Sequence, residues 1–396
     1  MAYPGCEARY VKHRLIIRIV FIILLLGCNL SPLLFALFIN KLGVDLNSSG
    51  LGINLGTLNI SALFFADDIL LIGKSRADLS KLMEVTRVFC KNHRLALSDT
   101  KSKIINYNSE TGKTTFHGPE IDPLTLEAVI SFKYLGIPIN CKPRNLFKDY
   151  NEQVKKRAHS YLASVLSLVK TGPDRADLAY TLWTNCALPS ILYGCEVMPL
   201  LQGTINEVEK CQAQVGKFIL QIPRNSASVA SSLDAGLKPV WAVIAEKVLL
   251  YANTIMSRPV SYWPKLAMNE NIERHSQSPY TKYLMQWRQA TGSIPFSPRQ
   301  IKASVNRAAI ASVFREQKGV SVTTFAMNGP NSSQVNSWFK PKAWVSDSSF
   351  SKIFAEFRAC NSGLGNRGPA KDGQIYKLCP LCSKIGITAL NNEVRT

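Results

Sequence analysis

Two adjacent acids, Asp67 and Asp68, stand between two short apolar runs, Ile60–Ala66 and Ile69–Ile72. Apolar run, polar break, apolar run is the pattern of a β-hairpin, with both carboxylates at its tip. Like charges that close sit together cheaply only when a cation compensates them. A hard divalent ion such as Mg²⁺ suits them, because it takes carboxylate oxygens together with substrate phosphates. Taken alone, the pair reads first as an ordinary solvated turn, where Asp is favoured without any ligand. A second candidate is Cys379-Pro380-Leu381-Cys382, the one close pair among ten cysteines. Two thiolates fall short of the four ligands that close a structural zinc site, so the expectation is a reduced surface turn without zinc. A third is Lys155-Lys156-Arg157, beside Tyr161 on an expected helix. It can track a phosphate backbone or simply form a solvated helix face, and the residues leave both open. The five histidines, His13, His93, His117, His159 and His275, show neither metal-ligand spacing nor a nucleophile partner.

The elements that must position these groups follow from periodicity. Ser31-Pro32 reads as a helix start, Ser as the cap and Pro in the first turn. The run Leu33–Ile39 behind it is apolar on every face, which predicts a buried helix over Ser31–Asn40. Gly50, Gly52 and Gly56 then punctuate a turn-rich connection into the hairpin. Residues 76–98 read as an amphipathic helix, with Leu79, Leu82, Met83, Thr86 and Phe89-Cys90 at spacings of three and four. Lys101–Tyr107 and Ile130–Ile139 read as strands. From Phe147 the pattern turns helical, with Tyr161, Leu162, Val165, Leu166 and Val169 on one face and Thr171-Gly172-Pro173 as its end. Asp174–Leu188 and Ser190–Leu201 are expected helices. Thr204-Ile205-Asn206-Glu207 has the form of a capping box opening another, to about Ile222. The segments 223–240 and 257–300, rich in Ser, Pro and Gly, are expected boundaries.

The chain has 396 residues, enough for two or three domains at about 150 residues each. A 46% hydrophobic share with 9% aromatics excludes an intrinsically disordered chain. Lys and Arg number 47 against 27 acids, a net charge of +20 spread along the chain and heaviest towards its end. That balance favours a polyanionic partner, nucleic acid or an acidic membrane surface. Lys340, Lys342, Arg358, Arg367, Lys371, Lys377 and Lys384, interleaved with Trp338, Phe339, Trp344 and Tyr376, fit a nucleic-acid surface. Scattered cysteines point to reduced thiols, hence a nuclear or cytoplasmic location. Near the start, Arg9, Lys12 and Arg14 precede the apolar Leu15–Leu26, and Ile19–Ile39 carries no charge, long enough for a spanning helix. The basic-then-apolar order also imitates a secretory signal, and Leu26-Gly27-Cys28 a lipoprotein processing site. Pro32 in mid-window argues against a continuous membrane helix.

Three ordered blocks carry a resemblance: Gly27-Cys28-Asn29-Leu30-Ser31-Pro32-Leu33-Leu34-Phe35, then Phe64-Phe65-Ala66-Asp67-Asp68, then Phe132-Lys133-Tyr134-Leu135-Gly136. Their order and spacing resemble the reverse transcriptases of non-LTR (LINE-like) retrotransposons, over about residues 27–250. The resemblance implies a palm helix starting at Ser31 and Pro32 near the incoming nucleotide and template. It implies a catalytic hairpin whose Asp67 and Asp68 hold Mg²⁺, and a primer-grip strand at Tyr134, Leu135 and Gly136. Lys101 or Lys103 is then the candidate for the family's basic residue near the nucleotide phosphates. Trp183 and the stretch Pro189–Glu196 continue the similarity into a thumb. Cys379 and Cys382, with Asn391–Arg395 behind them, resemble the family's zinc knuckle, but Arg395 stands where the family has His and no last Cys follows.

The departures set the functional expectation. The family site takes a third carboxylate from an earlier palm strand, whereas residues 1–44 hold one acid, Glu7, and no Asp. Leu26 stands where the family usually has Gln, and the 26 residues before Gly27 are too few for fingers. The chain also reads as lacking the endonuclease domain of autonomous elements. The expected fold class is α+β: a non-family apolar segment 1–26, a partial palm 27–140, a helical thumb 141–222, a helical or irregular basic region 223–370, and a truncated zinc-knuckle-like tail 371–396. Leu15–Leu26 is expected to pack against the hairpin, where a palm sheet without its first strands leaves an open edge. The expected function is that of an N-terminally truncated reverse transcriptase relative with an incomplete Mg²⁺ site and no RNA-directed DNA synthesis of its own. RNA and RNA–DNA hybrid are its expected partners, with deoxynucleotides only for an active site. The alternatives are a non-catalytic RNA- or hybrid-binding protein, and a membrane-anchored protein using Ile19–Ile39.

Overall fold

The computed structural model describes residues 31–316, apart from 56–57, 99–100, 106–125, 143–144, 146, 171–174, 225–227, 229–230, 233–234, 275–277 and 292–296. The Leu15–Leu26 segment, Cys379 and Cys382, and the basic residues from Lys340 to Lys384 lie outside them, as do His13, His117 and His275. Among the described residues helices dominate and the strands form small two-stranded sheets, an α+β composition. The chain divides into two compact units. The first takes its described residues from 31–132 and 259–274, the second from 133–258 and 275–316.

The first unit begins with helix α1 (Ser31–Ser48). A hairpin of β1 (Ile53–Leu55) and β2 (Leu58–Ile60) follows, then a second of β3 (Ala62–Phe65) and β4 (Asp68–Leu71). Gly52 enters the first hairpin at φ 119°, and a Cβ there would lie 2.4 Å from the Ile60 carbonyl oxygen, so only glycine fits. Helix α2 (Arg76–His93) opens on Ser75, whose hydroxyl accepts the Asp78 N–H at 3.1 Å. It stops where Arg94 takes a left-handed conformation, φ 57°. Ile39, Leu42 and Leu46 of α1 meet Leu82, Phe89 and Cys90 of α2 in one core. Phe38, Phe89 and His93 stack at its rim, so His93 serves packing. Strands β5 (Lys103–Ile104) and β6 (Glu127–Ala128) form a short parallel pair. Helix α8 (Trp263–Arg274) also belongs to this unit.

Two expectations fail here. Helix α1 is not buried on every face: Leu33 and Leu37, one turn apart, are 58% and 65% exposed. A helix packed on one side buries only the stripe that faces its neighbours, and the described neighbours, α2 and β3, lie on one side. Ile130–Ile139 is not a single strand. It folds into β7 (Ser131–Tyr134) and β8 (Ile137–Asn140), joined by Leu135 and Gly136 at φ 47° and 81°. Two successive positive φ values make the tight reversal that twisted strands accept.

The second unit is helical. Its elements are α3 (Lys148–Leu168), α4 (Arg175–Thr181), a π-helical stretch Leu182–Ala187, α5 (Leu188–Ile191), α6 (Gln202–Ile219), α7 (Val240–Met256), α9 (Pro279–Thr291) and α10 (Pro298–Glu316). The π stretch sits ahead of Pro189, which has no N–H to give the Asn185 carbonyl, so the i→i−4 ladder must break there. Leu188 accordingly donates to the Trp183 carbonyl, five residues back. Trp183 is fully buried and its Nε1–H donates to Gln212 Oε1 at 3.1 Å, while Gln212 Nε2 donates to the Lys238 carbonyl at 2.8 Å. Between α7 and α9, Trp241 and Trp287 stack at 6.4 Å.

Two helix expectations change. Ser190–Leu201 is not a helix: the chain leaves α5 at Leu192, and Gly194 turns at φ 90°, where a Cβ would meet Ile137 Cδ1 at 2.8 Å. The capping box does not open α6, which starts at Gln202 with Leu201 as an extended cap lacking a side-chain bond. Asn151 Oδ1 on α3 accepts the Leu201 N–H at 2.9 Å instead, so a tertiary contact supplies the cap. The 257–300 segment carries α8, α9 and the start of α10, and two boundaries between the compact units, 258/259 and 274/275, fall within it.

Candidate active site

The β3–β4 hairpin has the register Ala62↔Leu71, Leu63↔Leu70, Phe64↔Ile69 and Phe65↔Asp68. Side chains alternate across a strand, so Ala62, Phe64, Ile69 and Leu71 share one face, and these four pack against the α1–α2 core. Asp68 therefore shares the opposite face with Leu63, Phe65 and Leu70, and Phe65 is 62% exposed. The Ser61 hydroxyl donates to Asn47 Oδ1 at 2.9 Å, which ties the root of the hairpin to the end of α1. The ladder extends one bond further, from Ile72 N–H to the Ser61 carbonyl. A rigid root thus holds a short, exposed tip.

The tip is a two-residue loop of Ala66 and Asp67, with Asp68 the first residue of β4. Both carboxylates are exposed, and neither has an ion-pair partner among the described residues. Ala66 holds φ 51°, a left-handed conformation that costs an L-residue with a Cβ about 1–2 kcal/mol. Such backbone strain concentrates at sites whose geometry serves function. The sequence singled out the two acids and missed Ala66, because nothing in an alanine's chemistry marks it for that region. Among the described residues no group of three or more His, Cys, Asp or Glu side chains comes together as a metal site. Two adjacent, uncompensated carboxylates still fit one Mg²⁺, which needs only one or two protein carboxylates when phosphates and water complete its shell.

The other expected site residues fall in several places. Ser31 is buried and Pro32 exposed, both in the first turn of α1. Lys101 is exposed, whereas Lys103 on β5 pairs with Glu127 on β6, Nζ to Oε2 at 2.7 Å. Glu127 escaped sequence reading, since the pairing joins strands far apart in the chain. Tyr134 ends β7, and Leu135 and Gly136 form its turn. Tyr193 donates its hydroxyl to the Leu135 carbonyl at 3.1 Å, which pins that turn. Lys155, Lys156 and Arg157 on α3 have different surroundings. Lys155 is paired with Glu152 at 2.9 Å, Lys156 is exposed, and one Arg157 guanidinium nitrogen is buried without a partner. Three successive helical residues point about 100° apart, so they cannot share one face.

A second constellation was invisible in the sequence. His159 on α3 meets Cys211 and Glu207 on α6, its Nδ1 3.8 Å from Cys211 Sγ and its Nε2 3.2 Å from Glu207 Oε1. The expectation that His159 lacks a nucleophile partner is therefore corrected. The arrangement is still not a catalytic triad. Cys211 is fully buried, and burial pushes its thiol up to about 11, the reverse of an activated thiolate. Glu207 is held below the ordinary carboxylate range first by the hydrogen bond from Lys210.

Comparison with known proteins bears on the hairpin. Residues 11–139 match the family described as reverse transcriptase (RNA-dependent DNA polymerase). The chain is also similar to a retrovirus-related Pol polyprotein from the type-1 retrotransposable element R2 of Popillia japonica, 22% identical over 211 residues. That match covers 51% of this chain and 33% of the relative, so the chain spans about a third of the length of the curated protein it matches. The β3–β4 hairpin lies inside the matched region, as does α1.

Proposed function

We propose that this chain, whose residues 11–139 match the reverse-transcriptase family, is related to the enzymes of non-LTR retrotransposons, binds RNA and RNA–DNA hybrid, and does not by itself extend a primer. The observation that carries the reading is the β3–β4 hairpin. It is a two-carboxylate tip, strained at Ala66, exposed, rooted in a packed core and set in a chain of net charge +20. The partial palm takes residues 27–140 and the helical thumb 141–222. In this reading Ser31 and Pro32 lie near the template, Tyr134, Leu135 and Gly136 grip the primer strand, and Lys101 stands by the nucleotide phosphates.

Asp67 and Asp68 would hold Mg²⁺ together with nucleotide phosphates. When bound, such an ion neutralises charge on the phosphates and lowers the pKa of a primer hydroxyl. The residues of the chain supply the rest: a fixed position for the two carboxylates, and an exposed tip that leaves room for a nucleic-acid strand. Catalysis by two metals calls for a third carboxylate, and among the described residues no third ligand gathers with Asp67 and Asp68. Asp67 and Asp68 alone bind one ion weakly and leave the polymer chemistry incomplete.

Binding is expected to be electrostatic in origin. Affinity for a short RNA–DNA hybrid, measured by fluorescence anisotropy, should fall linearly on a logarithmic plot as salt rises. The Asp67→Ala/Asp68→Ala double variant should match the parent to within about twofold, since the phosphate contacts come from cations elsewhere. Hybrid affinity that is flat with salt would contradict the proposal.

A further inference from the structure

The second unit holds a cavity that the hairpin reading does not use. It lies where α3, α4 and the end of α6 meet, and measures about 310 Å³. Among the described residues its polar lining consists of Arg175, Lys217, Arg224, Gln214 and Gln221, and no carboxylate is present. Arg175 opens α4, Lys217 sits in the last turn of α6, and Arg224 follows in the loop beyond. Residue spacing does not reveal the grouping, because the packing of α4 on α6 brings Arg175 to the other two.

Lys217 is the unusual member. It is only 9% exposed, and its Nζ donates to the Arg224 carbonyl at 2.8 Å and to Ser228 Oγ at 3.1 Å. Both acceptors are neutral, and an ammonium has three N–H groups, so one donor and the whole charge remain unclaimed among the described residues. Burial of that charge lowers the amine pKa. Arg175 and Arg224 are exposed at the same cavity, and neither has a carboxylate partner among the described residues. A lysine kept only to staple the loop through Arg224 and Ser228 needs no such companions. Three cations around a cavity with amides and no acid have the chemistry of an oxyanion pocket.

We propose that this cavity binds a phosphate group, with Lys217 inside it and Arg175 and Arg224 at its entrance taking the oxygens. The phosphate is that of a free polyphosphate or of a nucleic-acid strand, and the same three donors serve either source. The site lies in the helical unit, so it stands or falls independently of Asp67 and Asp68.

The test is calorimetric titration of the full chain with inorganic pyrophosphate, and separately with a 5′-phosphorylated oligonucleotide. The variants are Arg175→Gln and Arg224→Gln, whose exposed side chains leave the packing alone. Arg299→Gln, an exposed change of equal charge on α10, is the control. Lys217→Met keeps the aliphatic stem, and circular dichroism reports whether each variant is folded. Each entrance variant should weaken pyrophosphate binding by about tenfold, as loss of one charge-assisted hydrogen bond does, with the control within twofold. If only the oligonucleotide shows that loss, the proposal holds with nucleic acid as the phosphate source. If neither ligand is weakened beyond the control, or neither binds to folded protein, the proposal is wrong and Lys217 is a loop staple.

Discussion

At the scale of single residues, Ala66 sets the aim of both aspartates through its backbone. Its left-handed conformation is one that glycine adopts freely, so Ala66→Gly should raise the unfolding free energy by about 1 kcal/mol. Urea denaturation of the two chains measures this, and an unchanged or lower midpoint would mean that Ala66 carries no strain. The Asp67-Asp68 pair was legible because residue type and flanking apolar runs mark a hairpin tip. Ala66 was not, since strain is a property of φ and leaves no chemical trace. The thiols show the same division. Cys186 is exposed, while Cys90, Cys195 and Cys211 are buried and burial pushes all three thiols upward. A raised thiol pKa means less thiolate at neutral pH, so alkylation should label Cys186 well before these three. Mass mapping after a short iodoacetamide pulse at pH 8 reads the order, and early labelling of Cys211 would contradict its place in the core.

At the scale of elements, the helices were read well where one apolar face repeats and poorly where a tertiary contact decides the boundary. Helix α2 runs from Arg76 to His93 much as its spacing predicts, because Ser75 supplies a local cap. Helix α6 begins two residues before the apparent capping box, because Asn151 on another helix reaches the Leu201 N–H. The β7–β8 hairpin stayed hidden because Leu135 shares its turn with Gly136, and leucine seldom takes a positive φ. The π stretch before Pro189 is held by Trp183 and Gln212. Trp183→Phe keeps most of the ring volume but leaves buried Gln212 Oε1 without its donor, so it should cost about 1–3 kcal/mol. The paired Trp183→Phe/Gln212→Leu variant should cost less than the sum of the two single changes, because both singles lose the same hydrogen bond. Denaturant titration of single and double variants decides it. A fully additive double variant would show that the hydrogen bond does not couple the two positions.

At the scale of the whole molecule, composition and charge pointed to a folded, basic chain with a polyanionic partner, nucleic acid or an acidic membrane surface, and the reverse-transcriptase match over residues 11–139 agrees with the three blocks read from the sequence. Among the described residues no helix is long and apolar enough to cross a membrane. The part of the Ile19–Ile39 window that is described belongs to α1, a helix that continues past Lys41 and Asp45 and packs on α2. The cation-lined cavity of the helical unit was not legible at any level of the sequence, because helix packing alone assembles it. In the function proposed here, cations elsewhere in the chain hold the nucleic acid, and the hairpin does not extend a primer. Primer extension on an RNA template tests it most directly, with Mg²⁺ or Mn²⁺, using the full chain beside Asp67→Ala/Asp68→Ala and with both shown to be folded. Both proteins should bind the template and neither should extend the primer. Extension by the parent chain that vanishes in the double variant would contradict this, and would require a third metal ligand outside Asp67 and Asp68.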